Sequence, residues 1–182
     1  MRIEKTDFDG LLRIYPDVHR DSRGAFFELW QAVRYEDLWP ELNFVQDNIS
    51  VSKKGTLRGL HFQKTHPQGK LITVLEGEIF DVAVDLRPSS KTFGKSFTVT
   101  LSEADFSQLY IPEGFAHGFL TLSDIARVHY RCTDFYHPED EGCLLYSDQN
   151  LAIKWPDAEA LIVSEKDRRG QSFFDWRSNI GI

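Results

Sequence analysis

The 182 residues carry a net charge of −7, and no apolar run approaches the ~20 residues that a bilayer-spanning helix needs. That balance excludes broad electrostatic attraction to nucleic acid or an anionic membrane, so any anionic ligand must be held by a local cluster of Arg and Lys. Two cysteines without metal-ligand spacing, Cys132 and Cys143, and a polar start in place of a signal-peptide pattern predict one cytoplasmic domain over residues 1–182 with reduced thiols.

Leu11 to Tyr15 reads as a first strand, ended by Pro16. Asp21-Ser22-Arg23-Gly24 has turn composition and leads into the aromatic run Ala25-Phe26-Phe27-Glu28-Leu29-Trp30. Gln31 to Trp39 is a helix candidate, with Val33, Leu38 and Trp39 as its apolar side and Pro40 as its stop. Phe44-Val45-Gln46-Asp47-Asn48-Ile49-Ser50 sets amides and a carboxylate inside a strand-like segment, where they need partners or a ligand.

From Lys70 onward the pattern is mainly β. Leu71–Glu76 precedes a turn at Gly77. In Ile79–Leu86, Phe80, Val82, Val84 and Leu86 share one face, with Asp81, Ala83 and Asp85 opposite. Phe97, Val99 and Leu101 alternate next, followed by Leu109 and Ile111 and then by Phe115–Thr121. In Arg127–Cys132, Val128 and Tyr130 lie on the apolar parity, and Arg127, His129 and Arg131 lie opposite. Short strands at this spacing predict an all-β sandwich, jelly roll or barrel with short peripheral helices. No glycine-rich loop opens a helix, which disfavours a dinucleotide-binding α/β fold. In the tail, Ser164-Glu165-Lys166-Asp167 has the form of a helix-start capping box.

Chemistry concentrates in Leu57-Arg58-Gly59-Leu60-His61-Phe62-Gln63 and in Gln68-Gly69-Lys70. A His is the default group for proton transfer near neutral pH, and a lysine in the same pocket can hold a developing oxyanion. On its own, His61 reads more simply as a strand residue with a satisfied ring. A flat strand would put Arg58 and His61 on opposite faces, so a shared pocket requires a kink near Gly59.

Ile111-Pro112-Glu113-Gly114-Phe115-Ala116-His117-Gly118 contains Pro-x-Gly-x-x-His, the turn with which cupins build half of their metal site. The other half, His-x-His with a following carboxylate, is here His61-Phe62-Gln63 and then Pro67 to Gly69. Two histidines and no carboxylate leave a zinc or iron site short of ligands, which predicts a cavity without metal.

Six segments, in order, resemble the dTDP-4-dehydrorhamnose 3,5-epimerase family: Phe44–Asn48, Leu57–His61, Gln68–Leu71, Asp81–Arg87, Ile111–Phe119 and Ser164–Asp167. The resemblance implies a cupin-like double-stranded β-helix (jelly roll), usually a homodimer, acting without metal or redox cofactor. Its substrate would be a nucleotide-diphosphate sugar, dTDP-4-keto-6-deoxy-D-glucose, inverted at C3 and C5 to dTDP-4-keto-L-rhamnose in dTDP-L-rhamnose biosynthesis. By similarity His61 is the base, Asp167 orients it, Lys70 holds the C4 oxyanion, and Tyr130 is the acid on the other face. Parity alone reads Tyr130 equally well as a core tyrosine, and spacing alone favours Asp167 as a cap.

The family positions that bind substrate are Arg23, Glu28, Gln46, Asp47, Asn48, Arg58, Lys70, His117, Glu141 and Lys166, and Tyr136 matches a tyrosine that stacks on the base. The alternatives are a single-centre epimerase of another nucleotide-linked 4-keto-6-deoxysugar, a non-catalytic sugar-binding cupin and, last, a metal-dependent cupin oxygenase.

Overall fold

Period-two alternation carries nearly half of the chain into strands, and several of the turns between them fall at glycine or proline. The computed structural model describes residues 1–36, 43–157 and 160–181. It begins with β1 (Arg2–Lys5), β2 (Leu12–Tyr15), β3 (Val18–Asp21), β4 (Gly24–Phe27) and helix α1 (Ala32–Glu36). There follow β5 (Gln46–Lys53), β6 (Thr56–Gln63), β7 (Lys70–Glu76), β8 (Glu78–Asp85) and β9 (Ser96–Ser102). The next strands are β10 (Gln108–Ile111), β11 (Phe115–Thr121), β12 (Ile125–Cys132), β13 (Glu141–Cys143) and β14 (Ile162–Val163). Helices α2 (Glu165–Arg168) and α3 (Phe173–Asn179) close the chain.

One sheet runs β1-β2-β10-β7-β12-β5 and the other β13-β6-β11-β8-β9, with β14 added in parallel on β6. The hairpin β3–β4 stands apart as its own two-stranded sheet. Between the two large sheets, Ile72, Val74 and Val128 of the first meet Ile79, Leu101, Phe115 and Phe119 of the second. Burying each such side chain contributes about 1.5–3 kcal/mol. The result is a cupin-like β-sandwich, as the strand pattern predicts.

The outer faces are covered too. Val82 and Val84 of β8, with Leu86 just beyond its end, turn away from the sandwich, toward Leu144, Leu151 and Trp176 of the C-terminal segment. The opposite parity, Asp81 and Asp85, points inward and is fully buried. Asp85 is held by Arg87 Nε (2.9 Å) and Nη2 (2.8 Å), with Ser90 and Thr92 hydroxyls at 2.6 Å each.

On the first sheet, Tyr35 of α1 packs with Ile14, Leu71 and Tyr110. Val33, expected on the apolar side of this helix, is instead 68 % exposed. The buried anchor is Tyr35, its ring tilted against that of Trp30 with centroids 4.4 Å apart. Leu38, Trp39 and Pro40 lie outside the described residues.

Candidate active site

The kink required of β6 is present. Its pairing with β11 shifts register between His117 and Phe119. Gly59 sits there at φ +113°, where a Cβ would come within 2.6 Å of the His117 carbonyl oxygen, so only glycine fits. Leu57, Leu60 and Phe62 all belong to packed apolar clusters. The three-residue step from Leu57 to Leu60 is the slip that a bulge produces. Arg58 therefore joins His61 and Gln63 on the inward parity.

At one end of the sandwich the inward side chains change from apolar to polar. A cavity of about 280 Å³ opens there, lined by Gln46 and Asn48 of β5, His61 of β6, Lys70 of β7 and Tyr130 of β12, among others. This answers why the start of β5 carries amides: Gln46 and Asn48, two residues apart, both face the cavity.

His61 Nε2 lies 2.7 Å from Asp167 Oδ1, and the other carboxylate oxygen accepts from Gly59 N at 3.2 Å. With Nε2–H donating to the carboxylate, the lone pair rests on Nδ1. Asp167 also meets the capping expectation, but through its backbone: its N–H donates to Ser164 Oγ at 3.1 Å. One residue thus serves the helix with its main chain and His61 with its side chain. Burial pushes the Asp167 carboxyl up, and the hydrogen bonds and charge from His61 and Gly59 outweigh it, leaving the group below the usual carboxylate range.

Lys70 is buried, and desolvation lowers its affinity for a proton, with Cys132 and Glu141 opposing that shift. Tyr130 is half-buried. Its phenol is raised first by burial and then by Cys132, against the opposing charge of Arg58, so it keeps its proton at neutral pH. Arg58 itself donates from Nε to Ser52 Oγ at 3.0 Å, at the exposed rim.

At the cavity mouth the Tyr136 hydroxyl donates to Glu141 Oε2 at 2.8 Å, and Lys166 is paired with the same carboxylate. Burial raises the Glu141 carboxyl, and the bonds from Lys166 and Tyr136 more than reverse that. His117 stands opposite His61 in the ladder and bonds buried Asp81 at 2.8 Å.

Not every predicted position lines the cavity: Asp167 and Lys166 touch its lining residues His61 and Glu141, Arg58 stays at the rim, His117 turns to Asp81, and Arg23, Glu28 and Asp47 make their contacts elsewhere. Arg23 is 89 % exposed on the β3–β4 turn and pairs with Asp21, while Glu28 pairs with Arg34 at 3.3 Å. The Asp47 carboxylate lies on the outer face of β5, bound to Arg131 Nε (2.8 Å) and His129 (3.0 Å). That follows from parity, since its neighbours Gln46 and Asn48 face inward.

Sequence reasoning missed Phe62, Gln63, Gln68 and Cys132 as lining residues. Parity was the available signal for two of them, since Cys132 lies two residues from Tyr130 and Gln63 two from His61. Cys143 also approaches the pair, 4.0 Å from Asp167 Oδ1, and burial beside that carboxylate pushes its thiol up to about 12. His61, Cys143 and Asp167 are the described residues close enough together to hold a metal ion. His61 and Asp167 are already hydrogen-bonded to each other, and the Cys143 thiol keeps its proton.

A cupin-like sandwich whose polar end gathers a carboxylate-backed imidazole, a buried lysine and a protonated phenol defines an acid–base enzyme, of the kind that moves protons on and off carbon. The model of the dTDP-4-dehydrorhamnose 3,5-epimerase family matches residues 5–175, and the chain belongs to that family. The enzyme of this name from Methanothermobacter thermautotrophicus is 50 % identical over 92 % of this chain and 91 % of its own, and that from Escherichia coli is 46 % identical over 93 % and 92 %. Among solved structures, the Legionella pneumophila dTDP-6-deoxy-D-glucose-3,5-epimerase in complex with dTDP-4-keto-L-rhamnose superposes with a TM-score of 0.91 at 50 % identity, covering 94 % of this chain and 92 % of that one. A 3′-monoepimerase from Streptomyces bikiniensis in complex with dTDP-quinovose reaches 0.89 at 28 % identity, covering 97 % and 89 %.

Proposed function

We propose that this chain inverts C3 and C5 of dTDP-4-keto-6-deoxy-D-glucose, giving dTDP-4-keto-L-rhamnose for dTDP-L-rhamnose biosynthesis. The single observation that carries the reading is the shared cavity: His61, Lys70 and Tyr130 line it together, with Asp167 directly behind the imidazole. Relatives of that activity, 40–50 % identical over almost the whole chain, support the pathway.

The C4 ketone acidifies the neighbouring C–H bonds. His61 Nδ1 takes the proton from one face, and Asp167 stabilises the imidazolium that forms. Electron density moves onto the C4 oxygen, where Lys70 supplies the counter-charge its buried site otherwise lacks. Tyr130 delivers a proton to the same carbon from the other face, inverting it, and Arg58 is placed to steady the resulting phenolate. Solvent then restores both groups for the second centre. Gln46, Asn48, Arg58, His117, Glu141 and Lys166 bind substrate in this reading, and the Tyr136 ring stacks on the base. Arginine and lysine supply the charge-assisted bonds that a diphosphate needs.

The assay is deuterium incorporation from solvent at C3 and C5 of the dTDP-linked 4-keto sugar, with His61→Ala as control. Absence of exchange with the wild-type protein rejects the proposal. Exchange at one carbon only selects the single-centre reading, which the likeness to the 3′-monoepimerase keeps open.

A cytoplasmic homodimer completes the proposal. Its support is the free-standing β3–β4 hairpin, with Phe26 71 % exposed, and the outer face of edge strand β5, with Ile49 60 % and Val51 55 % exposed. Arg23 and Glu28 lie on or beside that hairpin, so a role in substrate binding requires them to reach a second copy's cavity. A monomer in sedimentation at working concentration would contradict the dimer. No described helix is long and apolar enough to cross a membrane.

A further inference from the structure

Residues 134–137 belong to no strand or helix, yet they carry Tyr136 at the cavity mouth. Backbone groups without a ladder must find partners elsewhere, and here they go to side-chain amides. Gln68 Nε2 donates to Asp134 O at 2.7 Å. Gln63 Nε2 donates to Phe135 O at 3.1 Å and to His66 O at 2.6 Å, while its Oε1 accepts from His137 N at 2.7 Å. Gln46 Oε1 accepts from Tyr136 N at 3.0 Å. The three glutamines arrive from β6, from the turn before β7 and from β5, so the segment is tied to both sheets at once.

The residue type matters. Gln63 donates to carbonyls and accepts from an N–H through one planar group, which an amide can do and a carboxylate cannot. Gln63 and Gln68 are only 7 % and 8 % exposed, so removing either amide leaves backbone groups unsatisfied in a poorly solvated place. Gln63 also occupies the position at which a metal-binding cupin would carry its second histidine. In this chain that position holds a loop.

We propose that Gln63 and Gln68 are positioning residues for nucleotide recognition. They fix segment 134–137 so that the Tyr136 ring is presented ready to stack, and they take no part in proton transfer. Pre-ordering the platform lowers the cost of binding without changing the reacting groups. The proposal rests on the reading of Tyr136 as the stacking residue.

The test uses the full-length protein with Gln63→Met and Gln68→Met, neutral substitutions that add no charge near the diphosphate. Titration with dTDP and steady-state kinetics are measured for each, for Tyr136→Ala, and for each glutamine variant combined with Tyr136→Ala. The expected result is a dTDP affinity at least tenfold weaker and a raised KM, with kcat at saturation within twofold of wild type. In the Tyr136→Ala background, either glutamine substitution should change affinity by less than twofold, because its effect is exerted through that ring. Additive losses in the double variants, or a fall in kcat with KM unchanged, overturn the proposal.

Amide hydrogen exchange separates this inference from the one beneath it. If Tyr136→Ala binds dTDP normally, the stacking reading fails by itself. Faster exchange at the Tyr136 and His137 amides in Gln63→Met still supports the amide tether, and unchanged exchange refutes it.

Discussion

Replacing Asp167 by Asn tests the imidazole–carboxylate pair most directly. The substitution keeps the volume and leaves the Ser164 cap intact, because that bond uses the Asp167 backbone N–H. In the wild type, one carboxylate oxygen accepts from Gly59 N and the other from His61. An Asn must keep its lone oxygen toward the Gly59 N–H, which turns its NH₂ toward His61 Nε2. The imidazole then has to accept at Nε2 and carry its proton on Nδ1, the wrong tautomer for a base facing the cavity. The charge is lost as well. Opposite charges ~4 Å apart interact by about 4 kcal/mol at an effective dielectric constant of about 20. The His61 side chain is 34 % exposed, and screening removes about half of that. About 2 kcal/mol remains, and it appears only as the imidazolium forms, so it acts on kcat. The expected fall in kcat is at least about 30-fold, since each 1.36 kcal/mol is about tenfold. The assay is the rate of deuterium incorporation at saturating substrate, with dTDP titration as the binding control. A kcat within threefold of wild type, or a loss confined to KM, would refute the pairing argument.

Tyr130→Phe removes the proton donor and leaves the base, so exchange by His61 should persist while inverted product forms at least about a hundredfold more slowly, within the usual range for a lost general acid. Product stereochemistry by NMR, read beside the exchange rate, checks this; equal loss of both would place Tyr130 on the base side. Asp85 is expected to contribute to stability in acid. Burial raises its carboxyl, and the bonds from Arg87, Ser90 and Thr92 more than offset that, taking it from 3.8 to about 2. Because the folded value is the lower one, the stabilisation is fully present above about pH 4 and fades as pH falls toward 2, amounting to about 2 kcal/mol. Asp85→Asn should cost at least that at pH 7 in denaturant melts and flatten the stability profile between pH 4 and 2; an unchanged slope there would assign the acid sensitivity to other groups.

By itself the sequence determined where most of the longer strands fall, the polar character of β5, the parity of Tyr130 and the need for a kink near Gly59. These are local properties: alternation and glycine geometry are written in consecutive residues, so a reader needs no distant contact to see them. The six family-like segments likewise contain Gln46, Asn48, His61 and Lys70, which line the cavity, and Asp167 behind His61.

What only the tertiary structure decided is where those faces point. The apolar side of β8 proved to face the C-terminal layer and its aspartates the interior, because a sheet covered on both sides has no solvent face to mark its polarity. Val33 lost to Tyr35 as the anchor of α1 for a similar reason, since Trp30, Ile14 and Tyr110 supply the pocket from elsewhere in the chain. Asp167 could be a cap or a partner of His61 on sequence grounds. The fold made it both by carrying residue 167 back across β6, a contact between groups more than a hundred positions apart. Arg23, Glu28 and Asp47 show the same dependence from the other side. The family resemblance marks them as substrate-binding positions, but proximity to a cavity is a property of the folded sheets.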